Sequence, residues 1–267
     1  RWYMLTNAQP WDNLKFDEMG LDETRRKLFG TLYNTYNFFA TYANVDAFDG
    51  NNFDSFKYGK IVELSKRPEI DRWIISLLHS LIKEVDADLS NYEPTNAGRK
   101  IFEFVDKHLS NWYVRLCRRR FWKGDKNEDK LAAYQTLNEC LVTLSKLMAP
   151  IAPFFADWLY GNLNKVTQAE NHLSVHLAYF PKAQEAAIDQ GLEQRMSYAQ
   201  RITTLVLSLR KKEAIRVRQP LQKILLPVLN EAFKLQVQAV EDLILSELNV
   251  KEFEYVSDKL DIKKTDL

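Results

Sequence analysis

At 267 residues the chain has room for about two domains and a sizeable buried core. Its 37 Lys plus Arg nearly cancel 36 Asp plus Glu, which excludes a global polycation and confines any surface for an acidic polymer to a local patch. Two isolated cysteines, Cys117 and Cys140, argue against a disulfide framework or structural zinc and fit a reducing cytoplasm.

The chain opens on RWYML, apolar-periodic and with neither initiator methionine nor cap, which is the pattern expected of a cut through a longer protein. Residues 6–20, with Pro10, two Asn and Gly20, read as a connector. A first helix is expected over 21–43, capped by Asp22, with Leu28, Leu32, Tyr36, Phe39 and Ala43 on its buried side. The Asn, Asp and Gly of 44–56 break it. Pro68 suits the first turn of a second helix that buries Trp73, Ile74, Leu77, Leu81 and Val85. A third and longest helix follows, with Thr95 as its cap and Gly124 as its stop. A fourth has Asn127 as cap and Leu131, Tyr134, Asn138, Leu141, Leu144 and Met148 along one side. Pro153 restarts a short helix expected to carry Phe154, Trp158 and Leu159 into the core, and residues 165–181 read as an extended linker.

Beyond Pro181 the texture changes. An amphipathic helix over 188–212 places Leu192, Met196, Ala199, Ile202, Val206 and Leu209 on one face. It ends in Arg210, Lys211 and Lys212, which complement a helix C-terminus. In IRVRQPL, Ile215 and Val217 alternate with Arg216 and Arg218 ahead of Pro220, a strand-like pattern. A helix over 230–248 and a last strand over 250–256 complete a small α+β unit. No apolar run is long enough to span a membrane, and the first residues lack a secretory signal pattern.

No catalytic constellation is found. His79, His108, His172 and His176 lack the spacing of a zinc protease or a hydrolase triad, and the eight glycines are scattered singly, so no phosphate loop is present. His172 and His176 stand four apart, a ligand spacing on a helix, but their segment reads extended. The chain reads as a binder rather than a catalyst.

The densest chemistry is at 110–123, SNWYVRLCRRRFWK, three indole or phenol rings and five cations on one expected helix. Arg115, Arg118, Arg119 and Trp122 fall at i, i+3, i+4 and i+7 and share a face, while Trp112 and Leu116 continue the apolar stripe Ile101, Val105 and Leu109. Guanidinium forks beside a flat ring suit a partner that is anionic and offers π surfaces, as RNA does. A solvated basic face on an ordinary bundle is the competing reading.

Several stretches together resemble the C-terminal part of class Ia aminoacyl-tRNA synthetases. RWYMLTNAQPWDNLKFD is similar to the segment after that family's KMSKS loop, and RKLFGTLYNTYNFFATYANVD to its first anticodon-domain helix. DRWIISLLHSLI, LSNWYVRLCRRRFW and LMAPIAPFFADWLY follow in the family's order. SVHLAYFP and RMSYAQRITTLVLSLRKKEAIRVRQPL resemble the isoleucyl type; valyl enzymes, which finish with a coiled-coil arm, are the runner-up, and a helical protein-binding adaptor is the rival of another class. The chain lacks the HIGH and KMSKS signatures, the editing domain and the C-terminal cysteine cluster of the zinc-bearing form.

The resemblance implies a mainly α fold: a class Ia anticodon-binding helical bundle over 1–180, then an α+β module over 181–267. It implies a cytoplasmic parent that joins isoleucine to its tRNA with ATP and Mg²⁺ at a site upstream, with no cofactor, membrane or DNA bound by this region. It also implies tRNA contacts at Arg115, Arg118, Arg119, Trp122 and Lys123, and at Arg210, Lys211, Arg216, Arg218 and Gln219. Among these, Arg216 and Arg218 are expected to read bases or phosphates.

Overall fold

The computed structural model describes residues 1–48, 61–123, 125–228 and 230–256, the side chain of Val166 excepted. Gly124 and residues 49–56 of the expected break lie outside them. The chain divides into two compact units, Arg1–Ile188 and Asp189–Leu267.

The first unit is a helical bundle. Helix α1 (Trp2–Asn7) is followed by α2 (Glu18–Thr24), which winds through a wide π-helical turn, Arg25–Gly30, into α3 (Thr31–Asp46). Asp17, rather than Asp22, is the cap: its carboxylate accepts from the N–H groups of Met19 and Gly20 at 3.1 and 3.0 Å, while Asp22 pairs with Arg25 on the surface. Helix α4 (Glu69–Ser90) starts after Pro68 and buries Trp73, Ile74, Leu81 and Val85 as expected, with Leu77 only half-buried.

Residues 94–122 form one continuous helix in three parts: α5 (Pro94–Glu103), a π-helical stretch Phe104–Val114, and α6 (Arg115–Trp122). The π winding shifts the register, so three consecutive residues, Trp112, Tyr113 and Val114, are all buried. Downstream, Cys117 and Phe121 rather than Leu116 carry the core stripe. Thr95 is not the cap. It lies inside the helix, fully buried, and its hydroxyl donates to the carbonyls of Leu5 and Ala8 at 2.6 and 3.2 Å, tying α1 to the bundle.

Helix α7 (Glu128–Met148) is capped by Asn127, whose side chain accepts from the N–H of Lys130 at 2.8 Å, and it is the most buried element. Helix α8 (Pro153–Thr167) corrects an expectation: Leu159 is buried, but Phe154 is 87% and Trp158 40% exposed, the latter stacked on Tyr33. Segment 165–181 is not a simple extended linker. α8 runs to Thr167, and a short 3₁₀ turn, Val175–Leu177, is fastened to Asp157 through the hydroxyl of Ser174 and the N–H of Val175.

In the second unit, α9 (Gln190–Lys212) buries Leu192, Met196, Ala199 and Ile202. Leu209 is 60% exposed, and Arg210 takes its place in the interior. Strand β1 (Leu221–Pro227) pairs in parallel with β2 (Val250–Val256), Leu221 opposite Val250 and Pro227 opposite Val256. A parallel pair needs a crossover, supplied here by two helices rather than one, α10 (Glu231–Gln238) and α11 (Glu241–Leu248). Ile224, Val237, Val240, Ile244, Leu248 and Val250 close this smaller core. Residues 215–219, expected to be a strand, form a turn, and the strand begins only after Pro220. Among the described residues no helix is long and apolar enough to cross a membrane.

Candidate nucleic-acid interface

The basic helix α6 is fixed in place by its one inward-facing arginine. Arg120 donates from both terminal nitrogens to the carboxylate of Asp71, at 2.7 and 2.8 Å, and Asp71 is fully buried at the start of α4. The same carboxylate accepts from the hydroxyl of Tyr113 at 2.8 Å. Arg120 also reaches the first turn of α7, donating to the Asp129 carboxylate at 3.1 Å and its carbonyl at 2.8 Å. Burial works against the charge on Arg120, but the bonds to Asp71 more than reverse it, and the guanidinium is held above its ordinary pKa. Burial, with Asp71 beside it, keeps the Tyr113 phenol protonated and therefore a donor.

A second set of bonds closes the end of α6. Lys130, 3% exposed, donates to the carbonyl of Lys123 at 2.7 Å and pairs with Asp46 at the end of α3, which also accepts from the Tyr134 hydroxyl at 2.7 Å. Three helix ends are thereby joined around α6. The opposite side of the helix is left to solvent, and Arg115, Arg118, Arg119, Trp122 and Lys123 are all exposed there. Trp122 is 57% exposed. Arg118 and Arg119 make no ion pair among the described residues. Arg115 is partly engaged, donating to the Asn111 carbonyl at 3.0 Å with its guanidinium 5.6 Å from the Trp112 ring centre. The structure thus brings together the five residues expected on this helix, on a rigid support.

The second basic stretch divides differently. Lys211, Arg216, Arg218 and Gln219 are exposed, but Arg210 is only 3% exposed and is not a surface contact. Its guanidinium donates to the carbonyls of Arg216 and Gln219 at 3.0 Å each, Leu248 at 2.7 Å and Asn249 at 3.4 Å. Helix α9 ends in a Schellman motif, the N–H of Ile215 returning to the Arg210 carbonyl at 2.8 Å with Ala214 left-handed at φ 56°. That geometry turns the chain sharply, which is why the alternating pattern at 215–218 does not become a strand.

Sequence reasoning missed Asp71, Asp129, Lys130, Asp46 and Asn249, all of them supports rather than contacts. Arg120 carried a signal, since it stands off the i, i+3, i+4, i+7 face. The acids that receive it lie 49 and 9 residues away and gave none. Neither cysteine offers a nucleophile: both are buried, and burial pushes Cys117 up to about 12. Among the described residues no three His, Cys, Asp or Glu side chains are grouped to hold a metal ion.

Residues 71–225 match the model of the anticodon-binding domain of tRNA ligase. The chain is similar to isoleucine–tRNA ligases of Bacteroides thetaiotaomicron, at 57% identity over 96% of the chain and 21% of that protein, and of Porphyromonas gingivalis, at 54% over 98% and 22%. One from Pyrococcus horikoshii is 38% identical over 94% of the chain and 23% of its own length. The chain therefore spans about a fifth of the length of these relatives. With more than half of it matched by the family model, the chain belongs to the anticodon-binding domain family of tRNA ligases.

Proposed function

We propose that this chain is the tRNA-binding part of an isoleucine–tRNA ligase, gripping the anticodon stem-loop of the isoleucine acceptor while the remainder of the enzyme charges it in the cytoplasm. The observation that carries this reading is the exposed row on α6. Arg118 and Arg119 stand uncompensated among the described residues, with Trp122 beside them, on a helix clamped by the Asp71–Arg120 pair. Guanidiniums held in this way meet phosphates without losing much side-chain freedom, and an exposed indole offers a stacking surface to an unpaired base. Lys123 and Arg115 extend the row, and Lys211, Arg216, Arg218 and Gln219 form the second contact. The shared name of the relatives supports isoleucine over valine.

Aminoacylation uses ATP and Mg²⁺. We place that nucleotide chemistry in other parts of the parent, since the chain spans about a fifth of the length of its relatives. The chain's own share is electrostatic positioning, and it is testable by salt. Charge reversal of Arg118 and Arg119 together should weaken tRNA binding steeply at low salt. It should also lower the log–log salt slope by roughly 0.7 to 0.9 for each phosphate no longer neutralised, with the helical circular dichroism unchanged. A folded double variant with the wild-type slope would make these arginines a solvated face, and salt-tolerant binding to protein would favour the adaptor reading.

A further inference from the structure

The turn at 216–219 has an unusual arrangement of its peptide groups. Four consecutive carbonyls are occupied by two side chains, the buried Arg210 and the exposed Asn249. Those of Arg216 and Gln219 accept from Arg210 at 3.0 Å, and those of Val217 and Arg218 accept from the side-chain amide of Asn249 at 3.1 Å. The chain has no cis peptide bond among the described residues. In a trans peptide the N–H points opposite to the carbonyl of the residue before it. The N–H of Val217 therefore points away from Arg210, and that of Arg218 away from the Asn249 amide. Gln219 folds its own back onto the Arg216 carbonyl at 3.0 Å, and Pro220 has none. The N–H groups of Val217 and Arg218 are left, and neither donates to any described residue. The Arg216 and Arg218 side chains are exposed beside them, with no acid paired to either among the described residues.

We infer that this turn is a phosphodiester site, in which the N–H groups of Val217 and Arg218 and the guanidiniums of Arg216 and Arg218 hold a backbone phosphate of single-stranded RNA, with Arg210 and Asn249 as its positioning residues. The inference rests on the tRNA-binding reading above and corrects the expectation of a base-reading strand. A base edge offers donors and acceptors together, whereas this surface offers almost only donors, because its carbonyls are already taken by Arg210 and Asn249; the Gln219 amide is the exception. Donors alone match a phosphate, whose oxygens only accept. Arg210 adds to the match. Its charge is buried and bonded to carbonyls rather than to a carboxylate, so a cation lies beneath the turn and its field reaches the outer face largely unneutralised. Asn249 is left-handed at φ 52°, and its own carbonyl accepts from the N–H of Leu221 at 3.1 Å, so the turn is pinned where β1 begins.

The test follows the two amides directly. In the ¹⁵N-labelled chain, adding isoleucine tRNA should shift the Val217 and Arg218 amide resonances. Asn249→Gly keeps the left-handed backbone and the net charge but frees two carbonyls, and should weaken tRNA binding roughly tenfold, equally for the cognate tRNA and for one with a foreign anticodon. Arg216→Ala with Arg218→Ala should lower the salt slope by about 0.7, as expected for one single-strand phosphate. Circular dichroism confirms that each variant is folded. A loss confined to the cognate anticodon would overturn the inference in favour of base reading. Amide shifts produced by inorganic phosphate but not by tRNA would overturn it in favour of a free-anion site. If the unmodified chain fails to bind tRNA at all, the proposed function falls; if it binds and only these loop variants are silent, the phosphodiester site alone falls.

Discussion

Of the chain's three runs of three consecutive cations, 25–27 is wholly exposed, whereas in 118–120 and 210–212 the fold takes one arginine inside and leaves the others to solvent. The inward members are satisfied in opposite ways. Arg120 meets two carboxylates, Asp71 and Asp129, whereas Arg210 meets four backbone carbonyls and no acid among the described residues. An ion pair between helix ends fixes helices relative to one another, and the contact face then follows from helix geometry alone. A guanidinium bonded to carbonyls fixes the backbone of a turn instead, and the contact face becomes the peptide groups themselves. The same residue type thus supports two kinds of anion surface, one made of side chains on a rigid rod and one made partly of main chain.

The strongest way to break this comparison is at Asp71. Replacing it with Ala leaves the Arg120 guanidinium, 15% exposed, and the Tyr113 hydroxyl without their shared acceptor. Removing one partner of a buried pair costs about 3 to 5 kcal/mol. All six tryptophans, from Trp2 to Trp158, lie in the first unit, so tryptophan fluorescence in a denaturant titration reads its stability selectively. A loss below about 1 kcal/mol would mean the pair does not fasten α6. The next effect in size is at Arg210. Arg210→Leu should cost the second unit about 2 to 3 kcal/mol, since carbonyls of the turn and of the α11 terminus are deprived of a charged donor. Hydrogen exchange of the β1 and β2 amides should quicken while the tryptophan midpoint stays put. An equal fall in that midpoint would show that Arg210 does not act locally.

These supports also mark how far the sequence could be read. Helices α4, α7 and α9 were legible because Trp73 to Val85, Leu131 to Met148 and Leu192 to Ile202 keep a 3.6-residue rhythm that burial enforces. The exposed row on α6 was legible for the same reason, through spacing on a single element. What was hidden depends on contacts between distant elements. The π winding at 104–114 moved the core from Leu116 to Cys117 and Phe121, and no periodicity announces such a stretch. Phe154 and Trp158 have the right spacing for a core face, yet α8 turns them to solvent because Ala156, Leu159, Tyr160 and Leu163 meet the bundle instead. At 215–218 local alternation favoured a strand. The Schellman turn and the carbonyl bonds from Arg210, made possible only once α11 is in place, overrode it.

The smallest effect sharpens the contrast between the units through pH. His79 in α4 is 6% exposed, and its Nδ1 accepts the N–H of Gln184 at 3.2 Å, which keeps the proton on the other nitrogen. Burial lowers its pKa below the ordinary 6.5, with Glu139 pulling weakly the other way. Because the folded chain resists a proton that the unfolded chain takes up, the stabilisation is fully present above 6.5 and declines as pH falls from there through the lowered folded value. The second unit has no histidine. Lowering the pH from about 7.5 to 5.5 should therefore reduce the tryptophan-reported midpoint of the first unit more than it quickens exchange in β1 and β2 after correction for intrinsic rates. His79→Asn retains an acceptor for the Gln184 N–H without a titrating ring, and should flatten the dependence. An unchanged pH dependence in that variant would move the acid sensitivity to carboxylates, which both units share, and the contrast between them would then lie in geometry alone.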